Sequence, residues 1–260
     1  MCYDSAARPP LPPISGGAGI GEVRRHVLES ADGTPFGAYS ATAAAPGGPG
    51  AVILPDVRGL HHFYEELAER FAEAGVHATA IDYFGRTAGV GDRGEGFDHE
   101  PHVEQTTPEG VATDAAAAVA HLRAPDGGGA SAVFTVGFCF GGRNSFNQAA
   151  RQHGLAGVIG FYGSLRRLDE DDTTSPVDQA RRYEAPVLGL FGGADRNITT
   201  EQIDGFRRAL DKAGVDNEIV VYESAPHSFF DRKFTEHREA CGDAWRRVLE
   251  FIRRHDRSRV

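Results

Sequence analysis

Residues Ala132–Gly142 read AVFTVGFCFGG. The run Ala132–Val136 is short and apolar, the pattern of a strand buried on both faces. It leads straight into Gly137-Phe138-Cys139-Phe140-Gly141, and Arg143–Gln152 beyond it has the pattern of a helix. A strand that turns sharply into a helix between two glycines presents its central side chain at the strand's C-terminal edge. The glycines are required because a Cβ there would strike a neighbouring strand or helix. The Cys139 sulfur then sits at a helix N-terminus, where N–H groups and the dipole lower a thiol pKa. The backbone N–H of Phe140 points at a developing oxyanion. With 33 glycines in 260 residues, glycine at both −2 and +2 of one of three cysteines arises by chance about 5% of the time. An inert cysteine in a glycine-rich turn is the competing reading.

Outward from this segment, strands and helices alternate. Val23–Glu29 and Phe36–Thr42, joined through Ala31-Asp32-Gly33, form an expected antiparallel hairpin. Ala51–Leu54, Val76–Ile81, Leu155–Phe161, Val187–Phe191 and Glu218–Tyr222 are expected strands. Phe63–Ala74, Asp114–Leu122, Thr200–Ala213 and Glu236–His255 are expected helices, the third introduced by Asn197 and Thr199 as caps. Gly75 ends the first of them. Such alternation specifies an α/β fold, with a mostly parallel sheet covered by helices on both faces. Residues 1–21, rich in Pro, Gly and Ala, are expected to form an extended arm, and 22–260 a single domain. Thr87–Thr107 is expected to be a long acidic loop of functional interest.

Composition narrows the function. Lys and Arg number 27 and Asp and Glu 37, a formal charge of −10. That surface repels phosphate backbones and anionic lipid, so neither nucleic acid nor membrane is the expected partner. No run of 18 apolar residues is present, and the N-terminus shows no apolar signal region. Cys2, Cys139 and Cys241 are too scattered for a disulfide framework or zinc knuckle, so a cytoplasmic location is expected. His61-His62 and His99/His102 lack a neighbouring Cys/His cluster, so no metal or other cofactor is expected.

A nucleophilic thiol needs a base, and the base an orienter. Asp195 follows the expected strand Val187–Phe191 through Gly192-Gly193-Ala194. His227 follows Glu218–Tyr222 in the loop Glu223–Phe229. Three strand ends therefore deliver Cys139, Asp195 and His227 in the chain order nucleophile, acid, histidine. Taken singly, the competing reading of Asp195 is a turn or capping aspartate and that of His227 a surface histidine. Tyr162, at the end of another strand, either lines the pocket or packs.

GFCFGG, GGADRNI and APHSFFDR together resemble the dienelactone hydrolase family of α/β hydrolases, over roughly residues 22–255. The resemblance implies the α/β-hydrolase fold and hydrolysis of a small-molecule lactone or ester through an acyl-thioester. It further implies that Asp56 contacts the resting cysteine and that the Val57 N–H completes the oxyanion hole. Arg86 falls where the family holds a substrate carboxylate, which implies an anionic substrate. A second clamp falls near Arg232, but the residue four past His227 is Asp231 and Arg232 comes one later.

The thiolate is a better leaving group than an amine, so an ester or lactone fits the site better than a peptide. Three other readings remain: an esterase or thioesterase on another substrate, a non-catalytic ligand-binding protein of the same fold, and a redox thiol enzyme. The last lacks a resolving cysteine nearby in sequence.

Overall fold

The computed structural model describes residues 19–94, 96–166, 172–231 and 233–256. In chain order the principal elements are β1 Ile20–Glu29, β2 Pro35–Ala43, β3 Pro49–Leu54, α1 His62–Glu73, β4 His77–Ile81, α2 Gly85–Ala88, α3 Glu100–Gln105 and α4 Pro108–Arg123. They continue with β5 Ala132–Phe138, α5 Phe140–Gln148, β6 Gly157–Phe161, α6 Pro176–Gln179, β7 Val187–Gly192, α7 Thr200–Ala213, β8 Asn217–Tyr222 and α8 Arg238–His255.

One eight-stranded sheet holds them together in the order β1-β2-β4-β3-β5-β6-β7-β8. β1 pairs antiparallel with β2, and β2 with β4; the remaining pairs are parallel. This is the mostly parallel α/β sheet with an N-terminal hairpin that the alternation specifies. β3 is buried along its whole length. Its alternate residues enter different cores: Ala51 and Ile53 belong to the one that includes Leu67 and Phe71 of α1, Val52 and Leu54 to the one that includes Val111 and Leu122 of α4. A strand sandwiched in this way has no polar face, hence its unbroken apolar run.

The strand order positions the site. From β3 the chain crosses to β4 on one side; the later β5 lies on the other. The loops after β3 and β5 therefore diverge at the C-terminal edge, where open α/β sheets leave a crevice. Asp56 and Val57 follow β3, and Cys139 follows β5, so both border that crevice.

Local chemistry accounts for the boundaries that differ from expectation. α4 begins at Pro108, six residues before Asp114, because the Thr107 side chain accepts the Gly110 N–H and Pro108 occupies the first turn. α5 begins directly at Phe140, with Cys139 as the residue before it. The acidic segment 87–107 contains helix α3, so it is not a bare loop. Thr199 caps α7 through a reciprocal capping box with Gln202. Asn197 instead donates its backbone N–H to Asp195 Oδ1 (2.8 Å). β1 already includes Ile20 and Gly21, and the first 18 residues lie outside the described part. Among the described residues, no helix is long and apolar enough to cross a membrane.

Candidate active site

The bend after β5 is tight. Cys139 adopts φ 53°, a left-handed conformation rarely taken by a non-glycine residue. Such strain persists only where the surroundings hold it. Here the Cys139 N–H donates to the Phe161 carbonyl of β6 (3.0 Å), and its own carbonyl accepts from Arg143 N–H (3.2 Å) in α5. A Cβ on Gly137 would overlap the Gly141 carbonyl, and one on Gly141 would overlap the Leu54 carbonyl. Both glycines are thus set by backbone-to-backbone approach. The Phe140 N–H opens the helix, where it has no intrahelical acceptor.

Three strand ends converge. His227 Nε2 lies 3.1 Å from Cys139 Sγ. His227 Nδ1 lies 2.6 Å from Asp195 Oδ2. The other Asp195 oxygen accepts from Asn197 N–H, which fixes the carboxylate's rotation. Asp195 is 7% exposed, whereas Cys139 is only half-buried and so open to a ligand. A carboxylate on Nδ1 holds the imidazole with its proton there, leaving Nε2 free to accept one from the thiol. The tilted Tyr162 ring packs against the imidazole with centroids 5.0 Å apart. Phe229 and Phe230, directly behind the histidine loop, are fully buried and pin it to the core. Phe230 packs on Phe138 and Phe161 at the ends of β5 and β6.

The turn after β3 is held by two tyrosines that sequence reasoning missed. Tyr83 donates to the carbonyls of Pro55 and Asp56, the latter at 2.9 Å. Tyr64 accepts the Asp56 N–H at 3.0 Å. Tyr83 was visible within the segment Ile81–Arg86, but Tyr64 sits in the apolar stripe of α1 and looks like any core aromatic. The Asp56 carboxylate is 4% exposed and accepts the Arg58 N–H (2.9 Å). His61 Nε2 is 4.0 Å from it. Burial, then the Arg58 charge, lowers the His61 pKa to about 3, so the ring is neutral.

Tyr162 is fully buried, at φ 38°, and its hydroxyl has no hydrogen-bond partner among the described residues. Burial chiefly, and the charges of Asp231, Cys139 and Asp56, push its pKa well up, so it stays a neutral phenol. Arg86 is engaged elsewhere. Its Nη2 lies 2.7 Å from Asp114 Oδ1 and its Nη1 2.7 Å from Asp32 Oδ2. Asp32 belongs to the turn between β1 and β2 and Asp114 to α4, partners that sequence proximity does not reveal. Arg232 lies outside the described residues. Among the described residues, no group of three His, Cys, Asp or Glu side chains could hold a metal ion. His102 stacks on Phe97.

The description "Dienelactone hydrolase family" fits the family model that matches residues 36–256. A Yersinia pestis protein named "Putative carboxymethylenebutenolidase" is 30% identical over 216 residues, 82% of this chain and 80% of that one. A Bradyrhizobium protein named "Probable 2-oxo-3-(5-oxofuran-2-ylidene)propanoate lactonase" is 27% identical, covering 80% of this chain and 84% of its own. The crystal structure titled "Putative Dienelactone Hydrolase" from Klebsiella pneumoniae superposes with a TM-score of 0.75 at 29% identity, over 89% of this chain and 99% of that one.

Proposed function

The chain belongs to the dienelactone hydrolase family, and from that premise we propose that it hydrolyses a lactone or activated ester with Cys139 as nucleophile. The observation that carries this reading is the imidazole of His227, set between Cys139 Sγ at 3.1 Å and Asp195 Oδ2 at 2.6 Å.

His227 Nε2 takes the thiol proton, and the resulting imidazolium is stabilised by the Asp195 carboxylate. The thiolate attacks the substrate carbonyl carbon. The N–H groups of Phe140 and Val57 receive the oxyanion, each donor contributing about 3–4 kcal/mol in comparable sites. The tetrahedral adduct then expels the alkoxide, which takes the proton from His227. In a lactone this alkoxide stays tethered to the acyl group. Water, deprotonated by His227, attacks the thioester and releases the carboxylic acid and the thiol. Tyr64 and Tyr83 hold the turn that carries Val57.

The test is trapping of the acyl-enzyme. Acid quench of the enzyme with p-nitrophenyl acetate within the first turnovers, followed by peptide mass spectrometry, should find 42 Da (about one acetyl, as thioester chemistry requires) on the Cys139 peptide. Acetyl confined to another residue would overturn the mechanism.

A further inference from the structure

Resting on Cys139 as nucleophile, we propose that the acyl chain of the substrate runs over Phe140 into a pocket outside α5, where the Asn144 carboxamide donates a hydrogen bond to an oxygen carried on that chain. The direction follows from the face of the sheet on which each part of the site lies. α5 covers the face of Thr135, whose hydroxyl is 2.8 Å from that of Ser145. Phe134 and Phe138 point to the opposite face, where Phe138 meets Tyr64 of α1 and Phe134 meets Phe251 of α8. The histidine loop comes over that second face, since Phe230 packs on Phe138 and on Trp245 of α8. His227 returns its proton to the leaving oxygen, so the leaving group stays on the His227 side. The acyl group, bonded to the same carbon, is turned toward α5.

Phe140, the residue after Cys139, forms part of the wall of a pocket of about 430 Å³, together with Thr107, Pro108, Arg143, Asn144 and Thr174. Several donors of this wall are already spent. The Thr174 hydroxyl donates to the Asp172 carboxylate (2.7 Å). Arg143 donates to the Arg166 carbonyl and to Asp172. Asn144 differs. It is 8% exposed, and its Nδ2 has no hydrogen-bond partner among the described residues. A buried amide N–H without an acceptor is costly, and a bound oxygen removes that cost. The terminal torsion of asparagine is soft, so the carboxamide turns to meet such an oxygen with little strain. Asn144 lies one helical turn past Phe140, about 6 Å along the axis of α5. The Phe140 ring, half-buried, then carries the methylenes between the scissile carbonyl and that oxygen.

Two matched pairs of p-nitrophenyl esters test the proposal: 4-oxopentanoate against pentanoate, and 5-oxohexanoate against hexanoate. Release of p-nitrophenol at pH 7.5 gives kcat/KM for each. Division by the hydroxide-catalysed rate constant of the same ester removes the ketone's own effect on reactivity. The expected result for the wild-type enzyme is a preference of at least fivefold for the keto ester at one or both lengths. Asn144→Leu should cut that ratio at least by half, and Asn144→Ala takes its place if the leucine variant fails to fold. A wild-type ratio below five at both lengths would overturn the proposal, as would a ratio that keeps more than half its value in the folded variant. The nucleophile assignment fails separately: Cys139→Ala would then hydrolyse all four esters at the wild-type rate, whichever are preferred.

Discussion

His227 stands between two residues that are 56 positions apart in the chain, Cys139 and Asp195, and is within hydrogen-bond reach of both. Each of the three side chains follows a parallel strand of one sheet, so strand order does what sequence proximity cannot.

The Asp195 carboxylate determines which imidazole nitrogen carries the proton. Asp195→Asn keeps the shape but presents an amide donor to Nδ1, which favours the proton on Nε2, where the base is needed. We expect kcat/KM for a p-nitrophenyl ester to fall by about 10²–10⁴ with little change in thermal midpoint, as removal of an orienting carboxylate does in comparable triads. A steady-state comparison with circular-dichroism melting checks both parts.

Gly141 tests the geometry of the bend. An alanine there would place its Cβ into the Leu54 and Pro55 carbonyls. Backbone must move, and the expected cost is about 3 kcal/mol or more. Gly242→Ala, in α8 with nothing within 4 Å of the added Cβ, should instead stabilise by about 0.5–1 kcal/mol through helix propensity. Urea unfolding of the two variants should shift the midpoint in opposite directions.

Much of this arrangement was legible. The Gly-flanked Cys139, with an apolar run before it and a helix after it, named both the bend and the parallel sheet. Asp195 could be found because it follows a continuous apolar run of the kind a doubly buried strand needs, and His227 because it comes just past the last strand in the chain order nucleophile, acid, histidine. What stayed hidden depended on partners far apart in sequence. Nothing near Arg86 announces Asp32 or Asp114, and its substrate contact was only what the family resemblance implied. The start of α4 was missed because its apolar stripe begins at Val111, one turn after the Thr107-Pro108 cap. The roles of Tyr64 and Tyr83 arise only when β3, α1 and β4 pack.

Arg86 should therefore matter to stability. Asp114 is fully buried and also receives the Ser30 hydroxyl. Arg86→Ala leaves that carboxylate without its cation, and breaking such a pair costs about 3–5 kcal/mol where both partners are buried, less here because the Arg86 side chain is 20% exposed. We expect a drop of about 2–3 kcal/mol in chemical denaturation, partly restored by Asp114→Asn in the Arg86→Ala background.

Acid should loosen the hairpin. His26 Nε2 and His121 Nε2 both contact the buried Ser40 hydroxyl, at 2.8 and 3.2 Å, and Ser40 contacts Thr79. Burial first, then the neighbouring His121, lowers the His26 pKa from 6.5 to about 4. Burial lowers His121 as well. The unfolded chain thus takes up protons near pH 6.5 that the folded one refuses until about pH 4. Stability is full above this window and falls as pH drops through it. Thermal midpoints measured from pH 7.5 to 4.5 should decline, and His26→Gln should make the decline shallower.

The central claim is that one sulfur performs the attack. Its most direct measurement is turnover of a p-nitrophenyl ester and a small lactone by wild-type enzyme and by Cys139→Ala, with folding of the variant verified by its melting curve. The account predicts loss of at least about 10³ in kcat, the scale on which a removed nucleophile acts. A folded Cys139→Ala enzyme that turns over both substrates at near the wild-type rate would contradict it.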